Sequence, residues 1–294
     1  MDLRDALCGI TCPTVTPFAD GAIDDEALDA LLEYVEDGGI DAVFPCGTTG
    51  EFASLPPADR RRVIERTVDG TDLPVIAGAA ATTVKETLDY VSDAAEAGAD
   101  AAVVVPPYFH SANAPAGNVR FFREIANRAS IPLLLYNIPQ CSGRPIDPET
   151  VATVSSHERI VGIKDSSGDF NYFQTVGRRT PDDFLLLQGF DALLVPALRM
   201  GADGGVNALS NVFPDVFGTL FECADAERGR QLQQDVIAPV FDACLEYGFA
   251  PTTKAALVHR GVIPSDEVRP PLVPVDDPSD LEATVSRAVE WARR

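Results

Sequence analysis

Lys164 closes the apolar, β-branched run Ile160-Val161-Gly162-Ile163-Lys164, the pattern of a buried strand ending in an amine. The chain has three lysines, and the other two, Lys85 and Lys254, have hydrophilic neighbours that suit helix surfaces. A charged group at a buried strand end is costly unless it is paired or gives up its proton. A buried amine that gives up its proton is a nucleophile toward ketones. The other reading is a strand-end lysine that reaches solvent or meets a carboxylate. Tyr136 ends a second such run, Leu133-Leu134-Leu135-Tyr136. On neighbouring strands the phenol and the amine would stand about 5 Å apart, close enough to pass protons to and from a substrate hydroxyl. A core tyrosine satisfied by a backbone group is the plainer alternative.

A third feature is Gly47-Thr48-Thr49-Gly50-Glu51. Glycine-freed N–H groups and two hydroxyls form a small anion nest suited to a carboxylate, or else an ordinary turn with helix-capping threonines. The segment lacks a P-loop lysine, which speaks against a nucleoside triphosphate. His110, His157 and His259 are scattered without HxH or HExxH spacing, so metal catalysis has no motif behind it. No GxSxG elbow occurs. Asp165 and Asp169 read as a turn and a helix start rather than an acid/base pair.

These residues need a scaffold that brings strand ends together. Short apolar runs at 9–14, 42–45, 75–78, 101–105, 133–136, 161–164, 185–188 and 205–208 alternate with amphipathic stretches such as 25–36, 58–67, 83–96 and 119–128. Pro57 suits a first helical turn, and Thr83 with Glu86 a capping box. Gly39-Ile40-Asp41, Gly98-Ala99-Asp100 and Gly201-Ala202-Asp203 each stand between a helix and a strand, where glycine supplies a left-handed C-cap. Repeated strand–helix units imply parallel strands, and eight of them fit an α/β fold, a (β/α)8 TIM barrel. A doubly wound sheet would carry a glycine fingerprint after its first strand, and Thr14-Val15-Thr16-Pro17-Phe18 is not one. Beyond Pro214 the pattern is helical, over roughly 215–224, 227–246, 251–260 and 278–293. The expected organisation is a barrel over 1–224 with a helical extension over 225–294 packed on it. A barrel works at the C-terminal ends of its strands. That rule selects Gly47, Thr48, Thr49, Tyr108, Phe109, His110, Tyr136, Lys164, Val206 and Asn207.

The formal net charge is −22, with acidic residues spread along the chain. Such a field repels nucleic acid and anionic membranes. High acidity with few lysines resembles proteins of salt-loving organisms, where molar salt screens self-repulsion. There is no run of eighteen apolar residues and no visible secretory signal. The six cysteines match no zinc spacing and read as reduced thiols, so a cytoplasmic protein is expected.

Gly-Thr-Thr-Gly-Glu, Tyr-Asn-Ile-Pro and Gly-Ile-Lys-Asp, in this order and spacing, resemble the dihydrodipicolinate synthase / N-acetylneuraminate lyase family, from Gly9-Ile10-Thr11 through Asn211-Val212-Phe213-Pro214. The resemblance implies a class I, metal-free mechanism in which Lys164 forms an imine with pyruvate or a 2-keto acid, without further cofactor. It implies that Tyr136 relays protons, that Thr48 and Thr49 hold the carboxylate, and that Val206 offers a carbonyl near the imine. It also implies a homotetramer of tight dimers in which an aromatic after strand four, Tyr108 or Phe109, crosses to the neighbouring subunit. Family synthases place an arginine where this chain has Cys141, and a thiol cannot replace a bidentate guanidinium. The expected reaction is therefore cleavage of 2-keto-3-deoxygluconate, or a related sugar acid, to pyruvate and an aldehyde such as glyceraldehyde. Ser166, Asn207 and His110 would bond its hydroxyls. The loop 109–117 carries no Arg or Lys, which favours an unphosphorylated substrate. The alternatives are a dehydratase of a 2-keto-3-deoxy pentonate, a 4-hydroxy-tetrahydrodipicolinate synthase, and a non-catalytic keto-acid-binding protein.

Overall fold

A computed structural model describes residues 3–110 and 114–293. Residues 111–113 of the loop after the fourth predicted strand lie outside the described residues. Apart from a small antiparallel pair, Phe18–Ala19 with Ala22–Ile23, the strands are β1 (Ile10–Cys12), β2 (Ala42–Val43), β3 (Ile76–Gly78), β4 (Ala101–Val104), β5 (Leu133–Asn137), β6 (Ile160–Asp165), β7 (Leu185–Gln188) and β8 (Gly204–Val206). They form one parallel ladder in the order β2-β1-β8-β7-β6-β5-β4-β3. A parallel bridge between Val43 and Val75 brings the two ends of the ladder together. Val43 N donates to Pro74 O and Gly78 N to Pro45 O, both at 3.0 Å, across that seam. The sheet is a (β/α)8 barrel. Every residue of the eight strands is buried, as expected for parallel strands covered on both faces.

The outer helices are α1 (Asp25–Asp37), α2 (Pro57–Gly70), α3 (Val84–Ala97), α4 (Pro115–Ala126), α5 (Pro148–Val154), α6 (Phe170–Gly177), α7 (Leu194–Arg199) and α8 (Pro214–Glu222). Thr83 caps α3 by accepting from Glu86 N at 3.1 Å. Asp169 caps α6 in the same way, as its position in the sequence suggested.

The recurring Gly-x-Asp pattern has two jobs. Gly98, at φ +96°, closes α3 in the left-handed region, and Gly39 and Gly201 take the same conformation. The aspartate two residues on then staples its strand to the preceding one. Asp41 accepts from Ile10 N at 2.7 Å, Asp100 from Val75 N at 2.9 Å and Asp203 from Leu186 N at 2.7 Å. Each bond satisfies a backbone donor at the N-terminal rim, away from the strand ends that carry the chemistry.

The C-terminal helices follow without a break in packing. Where one helix over 227–246 was expected, Glu227–Leu232 and Ala238–Tyr247 are joined by a π-helical segment, Gln233–Ile237. The buried Gln233 accepts from Val195 N and donates to Asp191 O at 3.0 Å, which ties this segment to the loop after β7. Phe249–His259 and Ser279–Ala292 complete the chain. Leu232, Val240, Leu257 and Val285 share one apolar cluster with Leu31, Val43 and Phe217 of the barrel. No helix among the described residues is long and apolar enough to cross a membrane.

Candidate active site

The site is built on one register. Tyr136 of β5 pairs with Lys164 of β6, and Asn137 pairs with Asp165 one step further. The second pair locks the first. Asn137 Nδ2 donates to Asp165 Oδ1 at 2.7 Å, and Asn137 Oδ1 accepts from Ile146 N at 2.9 Å. Asp165 also accepts from Ser167 N and Ser167 Oγ. Lys164 and Tyr136 are 5% and 4% exposed, so both are buried apart from the little surface they turn to a cavity. Lys164 Nζ lies 4.3 Å from the centroid of the Tyr136 ring and 5.1 Å from that of Phe44. A Cβ added at Gly189 would sit 2.7 Å from Lys164 Cε, so any larger residue there would displace the lysine or the neighbouring Ser166.

The Gly47–Glu51 loop faces this pair. Thr48 Oγ1 and the Tyr136 hydroxyl are 3.4 Å apart, and Thr49 is buried beside them. Cys46 and Glu51, at φ +57° and +58°, bracket the loop in the left-handed region. For non-glycine residues that costs on the order of 1 kcal/mol or more each, and the surroundings must hold it. Thr16 Oγ1 donates to Gly50 O at 2.8 Å. Glu51 is held by Lys254, and here the sequence-based expectation is corrected. Lys254 is not on a helix surface but wholly buried. Its Nζ pairs with Glu51 Oε1 at 2.5 Å and donates to Glu267 O at 2.6 Å, while Arg269 N donates to Glu51 Oε2 at 2.9 Å. Burial pulls the Lys254 amine below the usual lysine range, and the Glu51 carboxylate opposes it. Removing one partner of such a pair strands a buried charge, at about 3–5 kcal/mol.

A cavity opens between these groups. Of the residues the sequence singled out, Thr48, Thr49, Tyr136, Lys164, Ser166 and Val206 line it. Asn207 does not: it is fully buried, and its Nδ2 donates to Gln188 O at 3.3 Å. His110 lines a separate depression with Arg144. Gly47 is buried in the loop but does not border the cavity, and Tyr108 borders an adjoining apolar one, with Phe109 84% exposed beside it. Ser166 faces the cavity with its hydroxyl donating to Gly189 O at 2.9 Å. Cys141 and Gln140 stand at the mouth, and Phe190, Leu245 and Phe249 form an apolar wall. Lys164 is the one cation among the described residues lining this space. Among the described residues no group of three or more His, Cys, Asp or Glu side chains is placed to hold a metal ion.

Asp191, which is not among the residues singled out from the sequence, lines the cavity and is fully buried. It follows β7 in Gln188-Gly189-Phe190-Asp191, the strand end left out of the selection. Burial raises its carboxyl to about 6, against the N–H groups of Leu209 and Ala208 and the charge of Lys164. Burial likewise raises Asp165 to about 6, against its bonds to Asn137 and Ser167. Both lie above the usual aspartate value of 3.8. The folded state therefore binds these protons more tightly than the unfolded chain. The stability so gained is complete below the unfolded pKa and is lost as pH rises through about 6. Melting temperature, followed from pH 4.5 to 7, is expected to fall less steeply in Asp165→Asn than in the unaltered protein. Parallel slopes would show that Asp165 does not titrate in that window.

A barrel whose C-terminal mouth gathers a buried lysine, a phenol and a threonine loop belongs to the barrel class that works at its strand ends. Comparison with known proteins narrows the class. The Dihydrodipicolinate synthetase family profile matches residues 6–290, and the chain belongs to that family. It is 38% identical over 269 residues to the 4-hydroxy-tetrahydrodipicolinate synthase of Syntrophus aciditrophicus, covering 90% of this chain and 91% of that one. The protein of the same name from Methanosarcina mazei is 36% identical over 269 residues, with the same coverage. The solved structure of the synthase from Methylacidiphilum fumariolicum SolV superposes with a TM-score of 0.90 at 32% identity, covering 96% of each chain.

Proposed function

We propose that this family member is a Schiff-base aldolase that splits a 2-keto-3-deoxy acid, 2-keto-3-deoxygluconate in the first instance, into pyruvate and an uncharged aldehyde. One observation carries the choice of aldehyde: beside Lys164, no described residue lining the cavity is a cation, and the mouth presents Cys141 and apolar side chains. A second carboxylate entering this space without a charged partner would keep most of its desolvation cost, several kcal/mol for a buried ion.

In this reading Lys164 Nζ adds to the C2 carbonyl and water leaves, giving an imine. Thr48 and Thr49 hold the C1 carboxylate. The Tyr136 oxygen takes the proton of the C4 hydroxyl, with Thr48 at 3.4 Å as the next member of the relay. The C3–C4 bond breaks, its electrons pass into the iminium as an enamine, and the aldehyde departs. Protonation at C3 and hydrolysis release pyruvate and restore the amine. The Val206 carbonyl borders the imine. No cofactor beyond the lysine is needed. The exposed Phe109, next to an apolar cavity lined by Phe52, Val105 and Leu272, suits an assembly in which an aromatic crosses between subunits. Six free thiols suit a reducing cytoplasm.

The names of the curated relatives favour a second reading, condensation of pyruvate with aspartate semialdehyde. Arg144 is the nearest arginine in sequence to Cys141, and it lines the neighbouring depression instead of this cavity. The two readings separate on kcat/KM for both reactions measured on one preparation. Cleavage of 2-keto-3-deoxygluconate is expected to exceed the semialdehyde reaction by orders of magnitude. Cys141→Arg is expected to narrow that gap. A semialdehyde reaction that wins in the unaltered protein, and is indifferent to Cys141→Arg, would show the cavity to be a synthase site.

A further inference from the structure

We propose that Lys254, in the C-terminal extension, is a positioning residue of the site: by neutralising Glu51 it lets the Gly47–Glu51 loop accept the carboxylate of a 2-keto acid. This rests on reading that loop as the carboxylate holder. Glu51 is 3% exposed and Lys254 wholly buried, and among the described residues the Glu51 carboxylate has two partners, Lys254 Nζ and Arg269 N. Only the first carries charge to Glu51. The guanidinium of Arg269 is turned elsewhere, to Asp59 at 2.6 Å and Gly21 O at 3.0 Å.

Glu51 is two residues beyond Thr49 and ends the strained loop. Glu51 lines the adjoining cavity, which shares Thr48 with the site cavity, so without Lys254 an unpaired buried carboxylate would stand beside the space into which the substrate brings a second anion. Buried like charges act on each other with little screening. Buried ion pairs are poor stabilisers compared with apolar side chains of similar volume, so stability alone is a weak reason for this one. The helix Phe249–His259 also supplies Phe249 to the wall of the cavity. One helix thus both closes the site and sets the charge of its anion-holding loop.

The test is the concentration of pyruvate that half-saturates borohydride trapping of the imine, read by mass spectrometry of the intact chain. Three variants vary the charge of the pair: Lys254→Met leaves it at minus one, Lys254→Met with Glu51→Gln makes it zero, and Glu51→Gln makes it plus one. The half-saturating concentration is expected to rise roughly tenfold in the first, the scale of one like charge acting across about 10 Å of protein. It is expected to fall back toward the unaltered value in the double variant, and to be lowest in Glu51→Gln. Where Lys254→Met does not fold, the order of the double variant and Glu51→Gln decides. A purely structural pair would raise the value, or lower the melting temperature, without following the sign of the charge, and that result overturns the proposal. Thr49→Val is the control on the reading beneath it. If Thr49→Val leaves the half-saturating concentration unchanged, the loop does not hold the carboxylate. If Thr49→Val raises it and the charge series does not order, only the role of Lys254 is lost. No imine in the unaltered protein removes both.

Discussion

Lys164→Met is expected to abolish turnover, by at least on the order of 10⁴-fold, the scale on which removing a covalent nucleophile acts. The amine is the electron sink of the proposed cleavage, and no second group in the cavity can take its place. Methionine keeps most of the lysine's length and apolar contact. The ring faces of Tyr136 and Phe44 and the close approach of Gly189 should therefore still be filled. The variant should fold with a melting temperature close to that of the unaltered protein. A side chain buried to this extent, in a strand whose every residue is buried, gains nothing from its charge as a packing element. If Lys164→Met retained turnover within tenfold, the chemistry would not run through this residue.

Tyr136→Phe is expected to lower kcat by roughly 10²–10⁴, the range for a general acid–base group, while imine formation persists. The ring stays packed edge-on against Phe44, at 6.5 Å between centroids, and over Lys164 at 4.3 Å. What is lost is a hydroxyl 3.4 Å from Thr48. The trapped adduct should therefore form while product release from 2-keto-3-deoxygluconate stalls, because the C4 proton has no acceptor. Steady-state kcat beside single-turnover trapping separates the two steps. Unchanged kcat would make Tyr136 a core residue whose hydroxyl has no part in the reaction.

The barrel was legible because its signals are local and repeated. Apolar runs end at turn residues, and Gly39, Gly98 and Gly201 fall where a left-handed cap is needed. The pairing of Tyr136 with Lys164 was legible because a polar residue at the end of an apolar run is an exception to the pattern, and it occurs on two neighbouring strands. Other features depend on the fold closing first. Lys254 is separated from Glu51 by 203 positions, so their pairing left no local trace. One signal was available: Ala250-Pro251-Thr252-Thr253-Lys254-Ala255-Ala256-Leu257 has no polar face, and a helix without one is buried all round. Asp191 could have been found by applying the strand-end rule to the seventh strand as to its neighbours. Asn207 was misplaced because a strand end fixes where a residue stands but not which side of the barrel wall its side chain takes. Here the Asn207 amide turns to Gln188 O on the adjoining strand.

The most direct test of the account is to reduce the protein with borohydride in the presence of pyruvate and map the product by mass spectrometry. The account predicts one covalent adduct per chain, on Lys164. The other two lysines are unsuited to it in opposite ways: Lys85 is exposed and paired with Asp89 at 2.6 Å, and Lys254 is sealed against Glu51. An adduct on either of them, or none at all, would contradict the central claim.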